Sequence, residues 1–220
     1  MVPIKTMLAH RANYGTKRGG PIEWLVMHYT ANDGDSGMSN ARYFQKALNP
    51  VASAHYFVDD REIVQSVPDE YVAFHCGAYK YRHPFCRNYN SIGIEMCDAK
   101  RDGRVMATDK TIDNAADLAA MLCEKYNIPV DHIIRHYDVT GKLCPKYWVD
   151  DPQGIVRFRN MVKERIEMVS KCKMIVDGKE IEVERILKDG TNYIKIRDIA
   201  KALDLDVSNK GNIPILNHKQ

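Results

Sequence analysis

The sequence has no apolar run long enough to span a membrane and no Cys-x-x-Cys motif. Its 220 residues include only six cysteines, which are scattered at Cys76, Cys86, Cys97, Cys123, Cys144 and Cys172. Small disulfide scaffolds are short and dense in cysteine, so this class is excluded. A transmembrane helix needs about 20 consecutive apolar residues, so an integral membrane protein is excluded as well. The scattered thiols indicate a protein made in a reducing compartment, where buried cysteines are tolerated.

Features typical of secretion and of polyanion binding are also missing. Residues 1–11 contain no continuous apolar stretch of signal-peptide length. We therefore expect the protein to stay in the cytoplasm until another factor releases it. The chain carries 32 basic and 29 acidic residues, which gives a formal net charge of +3. This balance is mixed rather than polybasic, so we expect no nucleic-acid partner.

The remaining composition, 45% hydrophobic and 28% charged, is typical of a globular protein with one core and a small appendage. Apolar periodicity and capping signals predict strands that alternate with helices. We therefore expect an α/β fold with a central mixed β-sheet flanked by helices. The predicted strands cover 23–30, 54–58, 62–67, 91–97 and 132–136. The predicted helices cover 39–48, 109–126 and 152–169, and an irregular aromatic segment covers 69–90.

The pattern changes after residue 171, where a small, mostly-β module begins. Asp177-Gly178 and Asp189-Gly190 are turn signals typical of β-hairpins. A strand over 192–196, a helix over 196–203 and an edge strand over 213–216 complete the predicted module. We therefore divide the chain into domains 1–170 and 171–220. The second is close to the lower size limit for independent folding, so packing against the first domain or against a second copy would stabilise it.

Three residues form a candidate zinc site. His136 and Cys144 are strong zinc ligands separated by seven residues, and His28 ends the strand-like segment 23–30. Three protein ligands with a fourth position left to water describe a catalytic zinc site, whereas structural sites are usually closed by four ligands. No fourth ligand is evident in the sequence. The trio therefore predicts a hydrolase.

A zinc hydrolase also needs a proton acceptor and a group that stabilises the oxyanion. Glu95 interrupts the apolar segment 92–97, where a buried carboxylate is costly unless a partner or a metal lies nearby. Lys142 stands two residues before Cys144. We therefore predict that both residues are catalytic.

Five segments, in a fixed order, carry a family resemblance. They are WLVMHYT at 24–30, SAHYFVD at 53–59, FHCG at 74–77, NSIGIE at 90–95, and the interval from HYD at 136–138 to KLCP at 142–145. In these segments the chain resembles zinc N-acetylmuramoyl-L-alanine amidases of the peptidoglycan-recognition superfamily, of the type found in phage endolysins. The resemblance implies Zn²⁺ on His28, His136 and Cys144. It also implies cleavage of the amide bond between N-acetylmuramic acid and L-alanine in bacterial peptidoglycan.

Two positions separate this chain from parts of the family. Some members use a tyrosine where this chain has Ala54, and others use a glutamate that Glu95 matches. Several of those glutamate enzymes have an aspartate as the third ligand, where this chain has Cys144. The resemblance therefore implies glutamate-assisted catalysis at a cysteine-type zinc site. Lys142 or His75 is expected at the oxyanion.

Further residues of the matching segments are candidates for substrate binding: His55, His75, Asn90 and Ser91. Each has an alternative interpretation. His55 also suits a packed histidine behind the metal ligands, and Asn-Ser before a strand is ordinary turn chemistry.

The resemblance implies a phage or prophage endolysin that lyses bacteria, with 1–170 as its zinc amidase domain. Before release such a protein is expected in the host cytoplasm, and a pore-forming holin would let it reach the cell wall. Segment 171–220 is then expected to target the wall or to form a homo-oligomer. A non-catalytic peptidoglycan-recognition protein remains an alternative, although such proteins usually lose a zinc ligand. A host autolysin or a wall-recycling amidase is another.

Overall fold

The computed structural model describes residues 2–101, 103–167, 170–188, 191–211 and 213–219. Two compact units make up the chain, Met1–Arg165 and Ile166–Gln220. The predicted boundary after residue 170 lies close to this division. Among the residues that the structure describes, no helix is both long enough and apolar enough to cross a membrane.

Short strands and five helices build the described part of the first unit. The strands are β1 (Ile4–Thr6), β2 (Tyr14–Lys17), β3 (Trp24–Tyr29), β4 (Tyr56–Val58), β5 (Ile63–Gln65), β6 (Tyr71–Ala73), β7 (Ser91–Met96), β8 (Asp98–Arg101), β9 (Arg104–Ala107) and β10 (Ile133–Arg135). The helices are α1 (Gly37–Tyr43), α2 (Asp109–Tyr126), α3 (His136–Thr140), α4 (Lys146–Asp150) and α5 (Gln153–Ile166).

Six of these strands form a mixed sheet in the order β1-β5-β4-β7-β3-β10. Strands β4, β7, β3 and β10 run parallel to one another, and β5 pairs antiparallel with β4. The central mixed sheet expected from the sequence is confirmed. Parallel strands covered on both faces are apolar along their length, and Leu25, Val26 and Met27 of β3 are fully buried.

The parallel arrangement brings the carboxyl ends of β3, β7 and β10 to one edge of the sheet. His28 and Glu95 lie near the ends of β3 and β7, and they are paired across the two strands. His136 follows β10 directly. The fold therefore gathers polar residues from three distant parts of the sequence.

Helix α2 has the bounds that the sequence predicts. Thr108 caps it by accepting a hydrogen bond from the backbone N–H of Thr111, and Asn127 ends it in the left-handed conformation. Helix α1 instead begins at Gly37, because Ser36 rather than Ser39 is its N-cap. It also ends early, since the side chain of Asn13 donates to the carbonyls of Phe44 and Lys46 beyond it.

The second unit contains β11 (Ser170–Val176), β12 (Lys179–Lys188), β13 (Thr191–Ile194), α6 (Ile196–Ala202), β14 (Leu205–Lys210) and β15 (Ile213–His218). Strands β11, β12 and β13 form an antiparallel sheet, and β14 pairs with β15. Asp177 and Gly178 make the predicted turn, both with positive φ. The predicted turn at 189–190 lies outside the described residues.

Candidate metal centre and active site

The structure brings the three predicted zinc ligands together. His28, His136 and Cys144 are all buried, and one ligand atom of each lies within 4.8 Å of the other two. They form the one such cluster of histidine, cysteine or carboxylate ligands among the described residues.

Strand register and a folded loop account for this convergence. Arg135 of β10 pairs with Met27 of β3, so the residues that follow, His136 and His28, lie side by side. Their ring centroids are 4.6 Å apart. The loop after α3 then folds back, because the N–H of Tyr137 donates to the carbonyl of Cys144 over 3.0 Å. The segment between His136 and Cys144 therefore folds so that the Cys144 thiol lies close to His136.

The two nitrogens of the His28 ring face different neighbours. Nδ1 lies 3.8 Å from Cys144 Sγ and 4.0 Å from Glu95 Oε1. Nε2 lies 3.0 Å from Nδ1 of His75. Therefore Nδ1 is the nitrogen that His28 presents to the cluster.

The donor set fits zinc. His136 Nδ1 is buried and has no hydrogen-bond partner in the part of the chain that the structure describes, and such an atom is costly unless something binds it. Burial lowers the pKa of His28 well below its ordinary value and lowers the pKa of His136 to about 3, so both rings are neutral. Burial raises the pKa of Cys144 to about 12, so its thiolate needs a cation beside it. Two neutral imidazoles and a thiolate are typical zinc ligands.

Glu95 adds a carboxyl group to this centre. Burial raises its pKa to about 8; the Lys142 charge opposes the shift and the Asp98 charge adds to it. Glu95 Oε2 is buried and has no hydrogen-bond partner among the described residues. A carboxyl group with a pKa near neutrality can both accept and donate a proton at physiological pH.

Lys142 is exposed, but its charge reaches the centre. Burial has the largest effect on the pKa of His28, His136, Glu95 and Cys144, and the positive charge of Lys142 acts on all four pKa values in the lowering direction. The positive charge of Lys142 therefore acts on the groups of the candidate centre.

Residues 18–147 match the profile of the family described as N-acetylmuramoyl-L-alanine amidase. The match covers more than half of the chain and contains all of the candidate site residues. The chain belongs to the N-acetylmuramoyl-L-alanine amidase family.

Relatives and solved structures agree with this assignment. The chain is 34% identical over 200 residues to the amidase CwlL of Bacillus licheniformis, a match covering 86% of this chain and 54% of CwlL. It is 37% identical over 165 residues to the amidase BlyA of Bacillus subtilis strain 168, covering 69% of this chain and 44% of BlyA. A mutant endolysin from Bacillus subtilis has the same fold, with 28% identity and a TM-score of 0.60, over 74% of this chain and 99% of that structure. The chain spans about half the length of the curated relatives.

In this member of the amidase family, His75 lies behind His28. Its Nδ1 is hydrogen-bonded to His28 Nε2 over 3.0 Å, and its Nε2 lies 3.2 Å from Ser91 Oγ. Both ring nitrogens are therefore engaged inside the protein. The predicted role of His75 in substrate or oxyanion binding stays a prediction.

The structure likewise gives internal partners to the other predicted substrate-binding residues. His55 and Ser91 are fully buried, and His55 Nδ1 accepts the N–H of Gly93 over 3.0 Å. Asn90 is almost fully buried and donates to Glu23 Oε2 over 2.7 Å. Because Asn90 and Glu23 flank the starts of β7 and β3, they lie at the sheet edge opposite the metal centre. All three residues thus have partners within the protein, and their predicted contact with substrate stays a prediction.

Sequence reasoning missed Arg18. Its guanidinium donates to four backbone carbonyls, and Nη2 also lies 2.6 Å from His55 Nε2. The four carbonyls belong to Asp69, Asn88, Tyr89 and Ser91. An isolated arginine in a loop has no sequence pattern that separates it from a solvated one, so no signal could have identified this role.

Proposed function

We propose that this chain is a zinc-dependent peptidoglycan hydrolase that cleaves the amide bond between N-acetylmuramic acid and L-alanine. The observation that carries the proposal is the buried cluster of His28, His136 and Cys144 with Glu95 beside it. Membership of the amidase family supports the identity of the bond, since CwlL and BlyA are named for it.

His28, His136 and Cys144 would hold the Zn²⁺ ion. Zinc bound there would lower the pKa of a water molecule and polarise the amide carbonyl. His28 and His136 are already neutral, so only Cys144 has to lose a proton when the metal binds.

Glu95 would move the protons of the reaction. It accepts a proton from the water that attacks the amide carbonyl, and it then delivers a proton to the L-alanine nitrogen as the carbon–nitrogen bond breaks. Its raised pKa, about 8, suits both steps.

Lys142 would stabilise the negative charge that develops on the carbonyl oxygen. Its influence on the pKa values of all three ligands and of Glu95 supports this role. His75, the other candidate, has both ring nitrogens engaged by His28 and Ser91.

Digestion of purified peptidoglycan, followed by mass analysis of the products, tests the proposal. We expect new L-alanine amino termini together with intact glycan strands. New reducing sugars would contradict the amidase assignment, and so would cuts between peptide residues. Binding without any cleavage would favour the non-catalytic recognition protein.

The biological setting belongs to the same proposal. We assign residues 1–170 to the catalytic domain and the rest to wall targeting or self-association. The endolysin among the matching structures supports a phage or prophage origin, with the protein held in the host cytoplasm until a holin forms pores. Co-expression in a bacterial host tests this: we expect lysis only when a holin is present. Lysis without the holin would favour another route to the wall.

A further inference from the structure

His75 connects the candidate metal ligand His28 to the start of β7. Its ring lies between His28 and Ser91, with distances of 3.0 Å and 3.2 Å to the facing atoms. Ser91 Oγ continues the chain by donating to the carbonyl of Arg87 over 2.6 Å. Four residues thus form an unbroken row of hydrogen bonds that leads away from the metal centre.

When a metal is bound to His28, the donor and acceptor properties of these groups fix the direction of each hydrogen bond in the row. A metal on His28 Nδ1 leaves the ring hydrogen on Nε2, which must then donate to His75 Nδ1. His75 consequently carries its hydrogen on Nε2 and donates to Ser91 Oγ. The Ser91 hydroxyl hydrogen goes to the Arg87 carbonyl, which can only accept. Each hydrogen has one position, and that arrangement leaves His28 Nδ1 free for the metal.

The His75 ring is held from several sides. A Cβ atom at Gly93 would lie 2.5 Å from His75 Cγ, so the ring packs directly against the backbone of β7. The backbone N–H of His75 donates to Asn88 Oδ1 over 3.3 Å. The ring of His55 packs edge-on against it, with centroids 5.7 Å apart. His75 therefore has little freedom to turn away from His28.

We propose that His75 is a positioning residue of the metal centre, which fixes the tautomer and the ring orientation of His28 and is itself anchored by Ser91. This inference rests on the proposed zinc-dependent function. Metal-binding histidines commonly donate their second nitrogen to an acceptor, and loss of that acceptor typically weakens metal binding by about 10–100-fold. In this role His75 acts through its hydrogen bond to His28.

Zinc affinity of the full chain, measured by competition with a chromogenic chelator, tests the inference. The variant His75→Phe keeps a ring of similar shape but removes the acceptor, and we expect zinc affinity to fall by about 10–100-fold. The variant His75→Asn places Oδ1 near the position of Nδ1, so it keeps an acceptor for His28 and should retain most of the affinity. His132→Asn is the matched control, because His132 stacks on Trp24 and bonds to the Glu23 carbonyl, away from His28.

The possible results distinguish failure of the inference from failure of the proposed function. Wild-type affinity in His75→Phe would overturn the inference, and so would equal losses in the Phe and Asn variants, which would indicate packing alone. Absence of zinc binding in the wild-type chain would overturn the proposed function and the inference with it.

Nitrogen-15 NMR of the zinc-loaded wild-type chain provides a test that needs no variant. We expect His28 to carry its ring hydrogen on Nε2, and His75 to carry its ring hydrogen on Nε2 with a bare Nδ1. A hydrogen on His75 Nδ1 would overturn the inference, since that nitrogen could then not accept from His28.

Discussion

At the scale of single residues, two buried polar atoms without hydrogen-bond partners mark the candidate centre. In the described part of the chain, Glu95 Oε2 and His136 Nδ1 are two such atoms. Interiors normally satisfy their polar groups, so an unsatisfied acceptor beside two neutral imidazoles and a thiol indicates a place reserved for a metal. Residue type, strand pattern and the family resemblance predicted that His28, His136, Cys144 and Glu95 belong to one site, and the structure places these four residues together. The internal contacts of His75 and Arg18 could not be predicted, because they depend on which loops meet.

Cys144→Ser should abolish tight zinc binding. A hydroxyl does not supply the thiolate that zinc prefers, so the loss should exceed the roughly 10–100-fold typical of residues that merely support a ligand. Zinc retained per chain after dialysis measures this. Cys123→Ser, buried in α2, is the control and should keep its zinc. Equal zinc in both variants would exclude Cys144 as a ligand.

Glu95→Gln should separate metal binding from turnover. The amide keeps the size of the side chain but cannot accept a proton, so we expect kcat to fall by roughly 10²–10⁴-fold while zinc content is unchanged. Release of L-alanine amino termini from peptidoglycan measures the rate. Glu62→Gln, which disrupts the pair with Lys5, should leave the rate intact. Full activity in the Glu95 variant would remove this residue from the mechanism.

Asp98 should make the protein less stable as pH rises. Burial raises its pKa to about 7, from an ordinary value of 3.8. The folded state therefore binds the proton more tightly than the unfolded state. This tighter binding contributes fully to the free energy of unfolding below about pH 4, and the contribution is lost as the pH rises to about 7. Asp98→Asn removes the charge, so it should stabilise the chain at pH 8 by about 1–3 kcal/mol and have little effect at pH 4. Urea unfolding of both proteins at the two pH values checks this, and an equal difference at both would contradict it.

At the scale of elements, every second residue of strand β7 contributes to the candidate metal centre. Ser91, Gly93 and Glu95 alternate along it and share one face. Ser91 anchors His75, Gly93 makes room for its ring, and Glu95 lies beside His28. The apolar residues between them predicted the strand, and Glu95 stood out as an interruption. The roles of Ser91 and Gly93 become visible only when the neighbouring loop is in place.

Elements were predictable from sequence where local signals agreed. Helix α2 has a cap at each end and one apolar face, and its bounds were correct. Helix α1 was predicted to start at Ser39, two residues late, because Ser36 is the N-cap and forms one capping box with Ser39. Strands such as β1 and β8 were missed, because short strands of exposed or charged residues carry no clear alternation.

Gly93→Ala should disturb both stability and zinc binding. The new methyl group would lie 2.5 Å from His75 Cγ, and overpacking of this kind typically costs about 1–3 kcal/mol. Displacement of His75 should also weaken zinc binding. Gly19→Ala is the control, since no atom lies within 4 Å of a Cβ at that position. Urea unfolding and chelator competition measure the two effects, and wild-type values for both would show that the ring can move without consequence.

At the scale of the whole molecule, the two units differ in how much apolar surface they bury. The described part of the first unit contains a long series of fully buried apolar side chains, whereas Val183 and Ala200 are the buried ones among the described side chains of the second. Ile175 and Ile213 of the second unit remain 71% and 67% exposed. Ion pairs such as Lys171 with Glu182 are exposed, and exposed pairs add little stability. A unit of this size with so little core is marginally stable.

Hydrogen exchange of the full chain should therefore show a clear contrast between the units. Amides of β3 and β7 should exchange most slowly, because these strands lie in the core and their opening has the highest free energy. Amides of β11, β12 and β14 should exchange much faster at low protein concentration. Exposed apolar side chains favour association, so self-association would raise their protection as concentration rises, whereas added peptidoglycan would raise it if the unit binds the wall. Protection equal to that of β3 in dilute solution would contradict the expected marginal stability, because the two buried apolar side chains among those described in this unit do not account for it.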